Sequence, residues 1–213
     1  MLKCFIFDFD GTLTDSINIW ASLFKKIFKK YKINVSEEDI KNQFGKPYTE
    51  IIEYFAPKNK EEMIKEFKTE KNKIRIEKIK PFPFVAKTLK QLKQKNMKIA
   101  IATGNNNYMI DKILEKYDLS KYIDYHICSE EVKKTKPNPE MIFKILKTLK
   151  IEKNKAIFTG DSPYDILMAK NAKIKSCAVL TGVLNKKSAE EIKPDYIFKN
   201  IKGVLTLITH SKP

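Results

Sequence analysis

In the stretch FIFDFDGTLTDS, residues 5–16, three acids follow one of the most apolar runs of the chain: Asp8, Asp10 and Asp15. Asp8 and Asp10 are two apart, so on a strand that persists through them both carboxylates point to the same side. Two carboxylates a few ångströms apart do not both stay ionised cheaply without a cation. A hard divalent ion such as Mg2+ resolves the repulsion, because carboxylates and a substrate phosphate bind it while it keeps several waters. Gly11 lets the backbone turn and approach closely. The alternative is a polar turn at the end of a strand.

Three other stretches offer groups of matching chemistry. Asp161 follows the apolar run AIFTG and can bring another carboxylate to the same ion. Asp165 has two compatible readings, at the site or as helix punctuation, since Ser162, Pro163 and Asp165 have the order of an N-cap, a first helical residue and a capping box. Thr103 and Gly104 stand between a strand and a helix, where a hydroxyl and backbone N–H groups seat an anion; such turns also contain Thr-Gly for turn reasons alone. Lys136 opens KPNP, whose prolines Pro137 and Pro139 fix the backbone that aims its side chain. There it can neutralise charge on a transferring phosphoryl group. His126 and His210 lack partner patterns and read as structural. There is no Walker-type loop, no Gly-x-Ser-x-Gly elbow and no zinc-like Cys/His spacing.

The elements that must position these groups follow from periodicity. Residues 2–7 read as a buried strand. Residues 17–80 turn helical, with Ile17, Trp20, Ala21, Phe24, Ile27 and Phe28 on one face. Ser36 with Asp39 and Asn59 with Glu62 signal two more helix starts, and the PFPF at residues 81–84 breaks the last helix. Strand and helix then alternate: helix 85–95, strand KIAIATG, helix 107–116, strand YHIC, a helix striped by Met141, Ile142, Ile145, Leu146 and Leu149, strand AIFTGD, helix 163–172, strands CAVLTG and DYIF, and residues 201–208. This alternation predicts an α/β, Rossmann-like three-layer core around a parallel sheet. An all-helical unit is inserted after its first strand. The expected division is residues 1–15 and 82–213 for the core and 16–81 for the insert. In such sheets ligands bind beyond the carboxyl ends of the strands, and all four polar clusters sit at those ends.

Composition narrows the function classes. With 213 residues and 42% apolar content the chain suits a folded soluble protein. No run approaches the roughly 18 apolar residues of a membrane span, and MLKCFIFDFDG has no signal-peptide pattern. Cys4, Cys128 and Cys177 are odd in number and lie in strand-like runs, which reads as buried thiols in a reducing cytoplasm. The net charge of +16 invites a nucleic-acid reading. Against it, Arg75 is the only arginine, and the lysines are spread along the chain with acids among them. No nucleic acid and no membrane are expected as partners.

Together the motifs DFDGTLTDS, IATGN, KPNPEMI and GDSPYDI resemble, in order and spacing, the four motifs of the haloacid dehalogenase-like hydrolases. The helical insert resembles the small cap of the phosphoglycolate phosphatase and β-phosphoglucomutase-like group. The resemblance implies that Asp8 is a nucleophile forming an aspartyl-phosphate. It implies that Asp10 is the acid–base and a Mg2+ ligand through its carbonyl, that Asp8 and Asp161 bind the metal, and that Thr103, Gly104 and Lys136 hold the phosphoryl oxygens with Asp165 behind them. An acid at Asp10 argues for phosphate-ester or phosphoanhydride chemistry rather than dehalogenation or phosphonate cleavage. The resemblance thus implies a Mg2+-dependent phosphatase, monomer or homodimer, for a small phosphorylated metabolite, phosphoglycolate-like first. Pyrophosphatase, nucleotidase and mutase are the alternatives within the family, and a non-catalytic phosphate- or nucleic-acid-binding protein the alternative outside it. FGKPYTE resembles the cap segment facing the site, which makes Lys46 a candidate specificity contact, with a solvated lysine as the plain reading. Lys173 stands where a helix-ending glycine is common.

Overall fold

The computed structural model describes residues 1–209; His210 lies outside them. The strands β1 (Cys4–Phe7), β4 (Lys98–Thr103), β5 (Tyr125–Cys128), β6 (Ala156–Gly160), β7 (Lys175–Val179) and β8 (Tyr196–Phe198) form one sheet in the order β5-β4-β1-β6-β7-β8, with every pair parallel. The remaining strands, β2 (Thr14–Asp15) and β3 (Lys80–Pro81), form a separate antiparallel pair. The chain runs outward from β1 through β4 to β5, then crosses to the other side of β1 and continues through β6 to β8. The crevice at this reversal opens at the carboxyl end of β1, between β4 and β6.

Both faces of the sheet are covered, as its continuous apolar strands require. Phe5, Phe7, Ile99, Ile101 and Ile157 face the layer of α5 (Val85–Gln94) and α6 (Asn107–Lys116). Cys4, Ile6, Ala100 and Phe158 face α7 (Glu140–Leu149) and α8 (Pro163–Ala172). All three cysteines are free and buried, and burial pushes each thiol up to about 12, so they are packing groups at neutral pH. His126 is held by Asn107 at 3.1 Å.

The insert consists of α1 (Ile17–Lys30), α2 (Glu37–Lys41), α3 (Tyr48–Phe55) and α4 (Lys60–Asn72). Its core is aromatic: the ring of Phe24 lies 4.4 Å from Phe67, which stacks on Tyr48 at 4.7 Å. Lys26–Glu70 and Lys30–Glu66 pairs run along the outer seam of α1 and α4. Residues 17–79 hold no strand, as the helical pattern of 17–80 predicts, and a short strand pair flanks them. Thr14 pairs with Pro81 and Asp15 with Lys80, so the two crossings into the insert are clamped together. Ser36 caps α2 as its spacing predicts, whereas Asn59 precedes α4 without a side-chain cap bond. Two helices carried no readable start: α3, which begins after Pro47, and α9 (Lys186–Ile192), capped by Asn185 and Ser188. The short α10 (Thr206–Thr209) closes the described chain.

Three helices end on a left-handed lysine: Lys150, Lys173 and Lys193, with φ of 54°, 58° and 54°. The position keeps its left-handed geometry although no glycine occupies it. A side chain there costs about 1–2 kcal/mol, and glycine returns about 0.5–1 kcal/mol of that through its looser unfolded chain. Lys150→Gly and Lys173→Gly, both at exposed positions, are each expected to raise stability by about 0.5–1 kcal/mol in urea denaturation. A loss of stability in both would refute the strain.

Candidate active site

Asp8 follows β1, and its amide still donates to the carbonyl of Thr159 on β6 at 2.9 Å, so the side chain leaves from the last rung of the ladder. Thr103 ends β4, and Asp161 directly follows β6. Lys136 arrives from the loop between β5 and α7, where the Lys136–Pro137 peptide is cis. Asp165 lies in the first turn of α8 and is fully buried.

One carboxylate oxygen each from Asp8, Asp161 and Asp165 can be chosen so that all three lie within 4.8 Å of one another. The ammonium of Lys136, 2% exposed, donates to Asp8 Oδ1 and, at 2.8 Å, to Asp165 Oδ1. Three buried carboxylates thus share one cation. Burial pushes Asp8 well above the usual carboxylate range; Lys136 opposes this, and Asp165 and Asp161 add to it. Burial, reinforced by Asp165, pushes Asp161 up to about 7, against the Thr12 hydroxyl and Val183 amide that favour its charge. Burial would pull the Lys136 ammonium down, but Asp165 and Asp8 outweigh it and hold it above the ordinary lysine value.

This donor set fits a hard divalent cation: oxygen ligands, surplus negative charge and close backbone. The backbone is close because glycines wall it. A Cβ on Gly11, whose φ is +81°, would sit 2.4 Å from Asp161 Oδ2, and one on Gly182 would sit 1.8 Å from the same oxygen. Thr12 Oγ1 donates to the other oxygen at 2.6 Å. Asp165 caps α8 and also lies in the acid cluster. Its Oδ2 accepts from Ser162 N and Oγ, completing the capping box of α8, while Oδ1 takes Lys136.

Asp10 borders the same pocket as Asp8 but has partners of its own. The strand stops at Phe7, and residues 9–14 form a turn in which Leu13 N and Thr14 N donate to Phe9 O and Gly11 N to Thr14 O. The Asp10 carboxylate therefore lies outside the acid cluster. Its Oδ1 accepts from Ser16 Oγ and Trp20 Nε1, both at 2.6 Å, and its Oδ2 from Asn105 Nδ2 at 3.2 Å. Ser16 precedes α1, but its hydroxyl serves Asp10 and not the helix amides. Asp15 lies exposed in the clamp between insert and core.

The pocket between insert and sheet encloses about 90 Å³ and is bordered by Asp8, Asp10, Thr103, Gly104, Lys136, Asp161 and Lys46, with Asp165 behind it. Thr103 is buried, and its Oγ1 accepts from Asn105 N at 3.1 Å. Lys46 sits half-buried at the rim with Gln43 Oε1 at 2.9 Å. The sequence reading missed Trp20 as a polar donor, and it missed Asn105 and Lys71. Lys71 had a signal: it continues the buried stripe Met63, Phe67 at four-residue spacing, where a lysine is out of place.

A family model described as "Haloacid dehalogenase-like hydrolase" matches residues 5–179. A protein of Clostridium perfringens (strain 13 / Type A), named "Putative pyrophosphatase PpaX", is 32% identical over 209 residues, spanning 98% of each chain. "Pyrophosphatase PpaX" of Oceanobacillus iheyensis is 26% identical over 210 residues, spanning 99% of this chain and 98% of its own. Among solved structures, a haloacid dehalogenase-like family hydrolase from Streptococcus pneumoniae superposes with a TM-score of 0.85 at 21% identity, covering 97% of this chain and 98% of that one.

The raised acids fix the sign of a pH effect. A carboxylate whose folded pKa lies above its unfolded value favours the folded state below the unfolded value, and that contribution is lost as pH rises through the folded one. With Asp161 at about 7 and Asp8 also raised, the metal-free protein is expected to lose thermal stability between pH 5 and pH 8. Added Mg2+ is expected to raise Tm more at pH 8 than at pH 5. A metal-free Tm that climbs over this window, or a Mg2+ effect independent of pH, would refute the charge imbalance.

Proposed function

The chain belongs to the haloacid dehalogenase-like hydrolase family, and we propose that it is a Mg2+-dependent phosphohydrolase of small anionic phosphates working through an aspartyl-phosphate on Asp8. The observation that carries this reading is the division of labour between two acids of one motif. Asp8 sits against an ammonium among carboxylates, while Asp10 is held apart by neutral donors. Inorganic pyrophosphate is the favoured substrate, ahead of phosphoglycolate-like monoesters, because the relatives similar over nearly the whole chain are named for it.

In this reading an Asp8 oxygen attacks phosphorus, and the bond from phosphorus to the leaving oxygen breaks as the bond to Asp8 forms. Asp10 gives its proton to the leaving oxygen. It then takes one from the water that attacks the phospho-Asp8 phosphorus, which releases phosphate and restores Asp8. Lys136 favours the ionised form of Asp8 against the effect of burial and, with Thr103 and the Gly104 backbone, meets the phosphoryl oxygens. Asp165 holds Lys136 in place. A Mg2+ ion bound by Asp8, Asp161 and the Asp10 carbonyl would neutralise charge on the phosphoryl oxygens. We assign residues 16–81 to the cap and residues 1–15 and 82–213 to the core, with the β2–β3 clamp as the hinge on which the cap opens and closes.

Purified protein with Mg2+ is expected to release phosphate from pyrophosphate and from at least one small monoester, and Asp8→Asn to lower kcat by about a thousandfold or more. Asp10→Asn is expected to slow alkyl phosphates more than p-nitrophenyl phosphate, whose phenolate leaves without a proton. Turnover unchanged in Asp8→Asn would overturn the nucleophile assignment. Equal slowing of both substrate types would overturn the acid assignment.

A further inference from the structure

Lys71 and Lys136 are the two buried lysines among the described residues, and both border the same pocket. Their surroundings differ. Lys136 is matched by two carboxylates. Lys71, on α4 of the cap and 7% exposed, donates to a neutral acceptor, Asn105 Oδ1, at 2.7 Å. The rings of Trp20 and Tyr48 lie 5.6 and 5.8 Å from its ammonium. Its link to an acid runs through Asn105, whose Nδ2 donates to Asp10 Oδ2 at 3.2 Å. Burial lowers the Lys71 ammonium below the ordinary lysine range, and the charge of Asp10 offsets only part of that.

A buried ammonium that faces a pocket and has no ionic partner gains a charge-assisted hydrogen bond from any anion that reaches it, while its aromatic neighbours already fix its position. We propose that Lys71 receives a second negative charge on the leaving-group side of the substrate. It thereby selects small phosphates with two anionic groups, inorganic pyrophosphate foremost; this rests on the phosphohydrolase reading above. Size agrees. At roughly 10–15 Å³ per water position, a cavity of about 90 Å³ holds several water-sized groups, the scale of a small anion. Lys46, the lysine that the sequence singled out, lies at the rim with its ammonium 5.1 Å from the Tyr164 ring, and is the outer of the two cap cations.

The test is calorimetric titration of imidodiphosphate, a pyrophosphate analogue with a bridging nitrogen, and of inorganic phosphate into the full chain with Mg2+. Wild type is compared with Lys71→Met, Lys71→Arg and Lys46→Met, each checked for folding by circular dichroism; Lys71→Gln replaces Lys71→Met if the latter does not fold. Lys71→Met is expected to weaken imidodiphosphate about 10- to 100-fold, as for one lost charge-assisted bond, and phosphate by at most about threefold. Lys71→Arg keeps the charge and is expected to retain more of the affinity. Equal weakening of both ligands, a larger loss in Lys46→Met, or a wild type that binds imidodiphosphate no tighter than phosphate would overturn the proposal. In that last case, turnover of monoesters would leave the phosphohydrolase reading standing. Selective imidodiphosphate binding with no turnover of any phosphate would support the Lys71 site and count against the reading.

Discussion

The crevice depends on Lys136 standing between two carboxylates that repel each other. Asp8 is delivered by the last rung of β1 and Asp165 by the first turn of α8, so neither position can relax without disturbing the sheet or the helix start. The ammonium balances one of the buried charges, and Asp8 and Asp161 hold protons more tightly than free carboxylates do. That residual charge is what suits the site to a divalent cation. The loop that supplies Lys136 returns from the sheet edge to its centre, and removing its charge would leave three buried acids with no cationic partner among the described residues. Asp165 joins this electrostatic problem to helix formation, because the carboxylate that closes the capping box of α8 also holds Lys136.

Much of this was legible in the sequence because topology does the placing. Once strand and helix alternate, residues at strand ends converge wherever they fall in the chain, and Asp8, Thr103, Lys136 and Asp161 do so. Strands whose residues are apolar throughout could be read to within a residue or two, as with Cys4–Phe7. The helices that escaped notice lack the signals on which such reading relies. α3 begins after a proline without a side-chain cap, and α9 buries only Ala189, so no apolar stripe marks it. The partners of Asp10 were hidden for a different reason. Period-two geometry holds only inside a strand, and β1 ends three residues before it.

Groups whose neighbours come from cap-on-core packing were the least legible. Asn105 belongs to the core and Lys71 to the cap, and no local pattern announces a hydrogen bond between residues 34 apart. Composition made it harder, since a chain rich in lysine hides one functional lysine among many solvated ones. What exposes Lys71 is burial, which no surface lysine tolerates without a reason.

The cap therefore does more than cover the pocket. Trp20 on α1 donates its indole N–H to Asp10 and lies beside the Lys71 ammonium, and Lys71 on α4 reaches Asp10 through Asn105. Both cap groups converge on the acid that is not in the charge cluster. Because α1 and α4 pack through Phe24 and Phe67, a displacement of the cap moves Trp20 and Lys71 as one body. Asp10 would then lose its indole donor and its link to the ammonium together, while Asp8, held entirely by core elements, would keep its partners. The two acids of one short motif thus answer to different parts of the fold: Asp8 to the sheet, and Asp10 to whether the cap is closed.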